Sequence, residues 1–435
     1  WSWQWGRDLG ALSGLAPGLF PALGLGGLWA LLRRNLRSGL AAGALLGTLT
    51  LALIFYLNFK YGFSYQVNNP LISNEMREVR ERDYFYIASF AFVGVLFAAA
   101  FAALIRGIGD WLGDRVGDSK RYLYASPVLV LALIPLGGNW VTASRAHETV
   151  ARDFAIDILE SIEPYGILIT AGDNDTFPLW FAQEVLGVRR DVTLANLSLM
   201  NTEWHLKQLR RRVLPDFDPE TAHPVWRPNT DRDSASLGTA PPEGGWTRPT
   251  TPVFSLSIDS IAALPELSRA PAPDEPIAFD SVLVTLGQNY LTRSDLATLF
   301  LIRDNLGVRP IYFSWSDGGY PDGTLGLTPY LLSQGMVRKL MPTPLTERPG
   351  IVFDDSMGFV DVERTRTLLF DVYHPESAAR NRPRGWIDPP SASILSLYYI
   401  TYGGYAPILQ ELGDSTGAAE AQRIAEGVWQ NLRGR

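Results

Sequence analysis

The stretch GILITAGDNDTFPLWFAQEVLGVRRDVTLANL, residues 166–197, decides the fold of the chain's second half. Gly166 restarts the chain before a short apolar run, ILIT, which reads as a buried strand. Gly172 ends that run, and two carboxylates then flank an amide: Asp173, Asn174 and Asp175. From Pro178 the pattern becomes helical through Leu179, Trp180, Phe181, Val185 and Leu186, and Gly187 stops it. A second strand-like run, VTLANL, follows. Strand, helix and strand in immediate succession predict a parallel sheet with helices on its faces.

The same grammar extends in both directions. Residues 145–162 read as an amphipathic helix, and SLMNTEWHLKQLRRR as another, capped by Asn201 or Thr202. Further on, TRSDLATLFLIRDNLG (292–307) reads as a helix, VRPIYFSW (308–315) as the strand after it, and GIVFDD (350–355) as one more strand. Residues 214–252 and 265–276 have no periodicity and read as surface insertions. The expectation is one α/β domain with a mostly parallel sheet over residues 142–390. Residues 391–435 then form a helical hairpin with small residues spaced as in a tetratricopeptide unit.

The first half is different in kind. Uncharged apolar runs cover about residues 9–32, 38–59, 84–105 and 122–141, and about 20 apolar residues span a bilayer core as a helix. Four transmembrane helices are therefore expected over residues 1–141. Arg33, Arg34 and Arg37 fall in the first connection without an acid, which places that connection in the cytoplasm and the α/β domain outside. The charged segment SNEMREVRERD (73–83) reads as a solvated interfacial helix, or as an arginine cluster, Arg80 and Arg82, facing a lipid phosphate. The formal charge of −7 and the lack of a basic stripe argue against nucleic acid as a partner. The chain has no cysteine, which excludes disulfides, thiolate metal sites and a cysteine nucleophile. His147, His205, His223 and His374 are scattered without metal-ligand spacing.

In open α/β sheets ligands gather beyond the carboxyl ends of strands. Three polar tails fall there: residues 172–176, 198–202 and 314–317. They make Asp173, Asn174, Asp175, Asn201 and Ser314 candidate substrate contacts, with Arg309 added as a cation able to pair with a carboxylate. Asp-Asn-Asp has the form that grips a divalent ion and a nucleotide diphosphate in some glycosyltransferases. It equally has the form of a turn and helix cap, in which Asp175 and Thr176 bond to backbone and Asp173 is left for a ligand.

Several stretches are specific enough to carry a family resemblance: NFKYGFS (58–64), EVRERDYFY (78–86), residues 172–211 around Asp-Asn-Asp, RPIYFSW (309–315) and LGLTPYLLSQGMVRKLMP (325–342). They resemble, in order, the C-terminal two thirds of a bacterial polytopic membrane family. That family is related to the eukaryotic transmembrane protein O-mannosyltransferase of plexin-type receptors. The resemblance implies a GT-C glycosyltransferase of the bacterial inner membrane that transfers a sugar from a lipid-phosphate donor to an extracytoplasmic protein or glycan. It implies no cofactor and no divalent metal, with an acidic base taking the acceptor's proton. That base is expected upstream of Trp1, with this chain as the C-terminal part. The alternative is a membrane-anchored α/β module that binds an envelope partner without catalysis.

Overall fold

The structure, a computed structural model, describes residues 7–56, 83–117, 120–226, 246–272, 274–382 and 387–433. It divides into two compact units, residues 1–145 and 146–435.

The first unit is helical. It contains α1 (Ala16–Arg34), α2 (Leu36–Gly47, continuing as helix to Tyr56), α3 (Ile87–Val116) and α4 (Arg121–Ala125, continuing to Gly138 through a tighter 3-10 stretch). Four helices, over Ser13–Arg34, Leu36–Tyr56, Ile87–Gly113 and Arg121–Gly138, are long and apolar enough to cross a membrane. These four candidate spans associate the chain with a membrane. They share a small core of Leu23, Val93, Phe97, Ala100 and Phe101, with Phe20 edge-on to Phe97 at 5.2 Å. Gly27 sets how closely α1 and α3 approach, since a Cβ there would lie 1.9 Å from the Leu96 carbonyl oxygen. Leu40, Leu51, Ile87, Leu123 and Val130 point outward and exposed, as lipid-facing positions do.

The second unit is an α/β domain built on a seven-stranded sheet. Its elements are α5 (Val150–Ser161), β1 (Ile167–Thr170), α6 (Asp173–Glu184), β2 (Thr193–Asn196), α7 (Glu203–Arg211), α8 (Arg293–Asn305), β3 (Ile311–Ser314), β4 (Leu331–Gln334), β5 (Val337–Leu340), β6 (Ile351–Asp354), β7 (Gly358–Asp361), α9 (Val362–Thr367), α10 (Pro389–Glu411) and α11 (Ser415–Arg433). The strand order is β6-β7-β4-β5-β3-β1-β2. β1 pairs parallel with both β2 and β3, as the βαβ pattern predicts. The remainder corrects the expectation of a mostly parallel sheet. β3/β5, β4/β5 and β6/β7 are antiparallel and only β4/β7 is parallel, so the sheet is mixed. The reason is local: Gly335 lets β4 turn straight back into β5, whereas a parallel partner needs a crossover helix. Gly335 has φ +60, and a Cβ there would lie 2.2 Å from the Tyr373 hydroxyl oxygen.

Helices cover both faces. α5, α6 and α10 pack on one through Phe154, Ile158, Leu179 and Tyr398, while α7 and α8 pack on the other through Leu206, Leu209, Leu301 and Ile302. The irregular stretch after α7 is not purely surface. Trp226 is 1 % exposed, donates from Nε1 to the Glu160 carbonyl at 2.9 Å, and carries the Arg364 guanidinium 4.2 Å above its ring.

The C-terminal hairpin α10–α11 packs into this domain. Tyr398, Tyr402 and Tyr405 recur at helical spacing on one face of α10 and are fully buried. Their hydroxyls donate at 2.6 Å to the Asp157 carboxylate, the Leu369 carbonyl and the Val362 carbonyl respectively. Each burial thus satisfies both ring and hydroxyl. Tyr402→Phe strands the Leu369 carbonyl and is expected to cost about 1 kcal/mol. Urea denaturation of the purified protein followed by tryptophan fluorescence measures it; an unchanged midpoint would show that water or another donor takes the hydroxyl's place.

Candidate functional site

From β1 the chain crosses to β2 on one side and later enters β3 on the other. The strand order therefore reverses at β1, and the crevice beyond β1 and β3 is where such sheets hold ligands. Asp173, Asn174 and Asp175 lie on one side of it, and residues 314–317 on the other.

α6 begins at Asp173, five residues before the helical start that Pro178 suggested. The Asp175 carboxylate accepts from the Ala171 and Gly172 amides at 2.9 and 3.0 Å, which satisfies backbone donors the helix leaves free at its start. Pro178 then sits inside the helix and gives up one backbone bond. Asp175 also accepts from Ser316 Oγ, tying the start of α6 to the tail of β3. Ser314 is buried, with its Oγ 2.7 Å from Ser316 Oγ and accepting from the Ser316 amide at 3.2 Å. Thr176 Oγ1 lies 2.7 Å from Thr170 Oγ1 and accepts from Asn196 Nδ2 at 2.7 Å. Asn196 also donates to the Gly172 carbonyl at 3.0 Å, so the ends of β1 and β2 are laced together. Asp175, Thr176 and Ser314 are consumed by this scaffold.

Asp173 and Asn174, one turn out, are exposed. Asn174 Nδ2 reaches Ser393 Oγ on α10 at 3.3 Å. The Asp173 carboxylate faces solvent at the helix's positive end, where it can accept from a ligand hydroxyl or amine.

Asp317 adds a residue that the sequence reading passed over within its own segment. It is 8 % exposed, and neither carboxylate oxygen makes a hydrogen bond. Burial pushes its pKa well above the ordinary aspartate value and the Asp175 charge adds to this, while Arg338 and the nearby Ser314 backbone oppose them. A buried carboxyl displaced upward in this way, next to a second carboxyl and an arginine, is the kind of perturbation that marks proton-handling sites. Arg338 itself pairs with Asp322, donates to the Gly318 carbonyl at 2.7 Å and stacks 4.4 Å from the Trp315 ring.

The other candidates lie elsewhere. Asn201 braces the start of α8: its Oδ1 accepts from the Ser294 amide at 3.1 Å and its carbonyl from Arg293 at 3.0 Å. Arg309 precedes β3, at the opposite, amino end of the strands, is 4 % exposed, and donates to Asn305 Oδ1 and the Thr251 carbonyl rather than to a carboxylate. Arg80 and Arg82 lie outside the described residues. Among the described residues no group of three or more His, Asp or Glu gathers in a way that could hold a metal ion.

Residues 151–218 and 245–364 match the family described as TMEM260-associated domain 2. The match covers α5, β1, α6 and β2 and resumes through α8 and β3 to β7, so it includes the whole strand-end site. It is consistent with a TMEM260-related family. No curated protein and no solved structure matches the chain.

Proposed function

We propose that this chain supplies membrane helices and an acceptor-presenting α/β domain to a glycosyltransferase of the GT-C, protein O-mannosyltransferase-like class. The donor would be a lipid-phosphate sugar, and the acceptor an extracytoplasmic protein or glycan held at the ends of β1 and β3. The observation that carries this reading is a TMEM260-associated domain 2 directly following four helices long enough to span a membrane. In this reading the chain sits in a bacterial inner membrane with the α/β domain outside, and the hairpin α10–α11 acts as a repeat-like brace behind Asn174. Transfer needs a carboxylate to take the acceptor hydroxyl's proton as the phosphate leaves. In this reading Asp173 orients the acceptor and does not serve as that base.

The test is sugar transfer by the full-length protein in nanodiscs. Asp173→Ala is expected to raise KM for the acceptor about tenfold, the loss of one charge-assisted hydrogen bond, with the fold intact. An unchanged KM removes the site. A second reading, a membrane-anchored binding module without chemistry, is favoured by how completely the scaffold consumes Asp175, Thr176 and Ser314. It predicts saturable partner binding without turnover from any lipid-phosphate sugar.

A further inference from the structure

A second concavity lies along the open edge of the sheet, where α6 on one face and α7 on the other overhang the edge strand β2. Its volume is about 460 Å³, within the range of small-ligand pockets. Leu194 and Leu209 form its apolar floor. Two indoles form walls: Trp180 is half-buried, and Trp204 is 55 % exposed. Between them lies His205, with ring centroids 6.3 Å from Trp180 and 5.4 Å from Trp204.

His205 is only 2 % exposed, yet neither ring nitrogen has a hydrogen-bond partner. Buried polar atoms in folded proteins are almost always satisfied, so an orphaned imidazole lining a cavity points to a ligand. Burial is the larger effect on the imidazole's pKa and pushes it down, so the ring is neutral at pH 7; the Gln208 amide, near the ring but outside strict hydrogen-bonding geometry, is close enough to raise it somewhat. A neutral imidazole offers one donor and one acceptor, which is what a hydroxyl offers in return. The rim adds the exposed Gln208 amide and the exposed Arg211 guanidinium. Arg212 is held from below, its guanidinium donating to the Arg190 carbonyl at 3.2 Å.

We propose that this cavity binds a saccharide unit, its apolar ring face against Trp180 and Trp204 and its hydroxyls on His205 and Gln208. Flat aromatic walls with adjacent neutral donor–acceptor groups suit a pyranose better than an ion or an acyl chain. A bare anion would not use the indoles, and an acyl chain would leave His205 unsatisfied. Resting on the proposed function, this makes the acceptor a glycan or a glycan-bearing protein, gripped on the flank of the helix whose first residue is Asp173.

The full-length protein in nanodiscs is titrated with the methyl glycosides of glucose, galactose, mannose, N-acetylglucosamine and glucuronic acid. Saturation-transfer NMR and tryptophan fluorescence report binding. At least one sugar is expected to saturate at millimolar concentration, with a five- to tenfold loss in Trp204→Ala, about one aromatic contact. Trp204 is exposed, so its removal leaves the core intact; His205→Phe, which fills the site, is expected to abolish binding. No saturable response to any sugar overturns the proposal, as does equal binding by both variants. Lost affinity for sugar-free lipid vesicles in Trp204→Ala, without a sugar response, would assign the indoles to the membrane surface and also overturn it. Sugar binding without any transfer activity sustains the cavity while sinking the proposed function.

Discussion

Arg189→Ala is expected to destabilise the α/β domain by about 3–5 kcal/mol, the cost of leaving buried charges unpaired. The Arg189 side chain is 1 % exposed and lies between α5 and the β2 lead-in. Its Nε and a terminal nitrogen form a two-point grip on Asp191, both at 3.0 Å. Its other terminal nitrogen donates to the Leu159 and Ile162 carbonyls at 3.1 and 2.8 Å and faces Glu160 at 3.5 Å. Phe217 and Trp226 flank the guanidinium at 5.3 and 5.5 Å. Burial alone would lower the arginine's pKa, but Asp191 and Glu160 outweigh it and hold the pKa above its ordinary value. Alanine removes all five donors at once, leaving two buried carboxylates and two carbonyls at the end of α5. Because domains are stable by only about 5–15 kcal/mol, a loss of this size removes a large share of the margin and is expected to lower the variant's abundance in cells several-fold. Arg189→Lys keeps the charge without the fork and should lose less. Urea midpoints of the purified proteins check this; an alanine loss under about 1 kcal/mol would mean that water enters and solvates the carboxylates.

Residues 166–197 disclosed the β1-α6-β2 unit because each boundary carries its own chemistry: Gly166, Gly172 and Gly187 punctuate, and the strands are short apolar runs. The antiparallel half was harder to see. LLSQGMVRKL contains both β4 and β5, and its turn rests on Gly335, which takes positive φ in the turn and leaves no room for a Cβ beside Tyr373, distant in the chain. Pro178 drew the start of α6 too late, because the first turn is held by the Asp175 side chain and not by proline. Within the site, the polar tail 314–317 was visible as a segment. Asp317 stands out through its burial and its lack of a bonded donor, neither of which sequence spacing reveals. The cavity at His205 was equally hidden, although PLWF and TEWHLKQ both place an aromatic where a helix overhangs the sheet edge. Sequence spacing cannot show that Trp180 and Trp204, on opposite faces of the sheet, converge around β2.

Asp157→Ala is expected to cost about 3 kcal/mol, from roughly 1–3 kcal/mol for each buried donor it strands. Asp157 on α5 is fully buried and accepts from the His374 amide at 3.0 and 3.1 Å, from His374 Nδ1 at 2.8 Å and from the Tyr398 hydroxyl at 2.6 Å. It thus joins α5, the segment after α9 and α10. The same cluster makes stability depend on pH. Its hydrogen bond to Asp157 raises His374's pKa above the ordinary histidine value, while burial opposes and the Asp157, Asp153 and Glu376 charges assist. Burial also raises the Asp157 pKa, offset by bonds from His374 and Tyr398. The neighbouring His223 is shifted down, by burial first and then by the His374 charge, with Asp371 opposing. A histidine whose folded pKa is raised contributes stability in full below its unfolded value of about 6.5, and loses it as pH climbs through the folded value. The buried carboxyl acts in the same direction, favouring the folded state when protonated. His205 and His223, with depressed pKa values, act in the opposite sense up to about pH 6.5, so the urea midpoint of the wild-type protein should fall above about pH 7, towards pH 8.5. His374→Gln keeps a neutral donor near Asp157 and should flatten that slope while remaining folded. A slope equally steep in His374→Gln would move the pH dependence to other groups, and a wild-type midpoint that rises with pH over that range would reverse the sign on which this coupling stands.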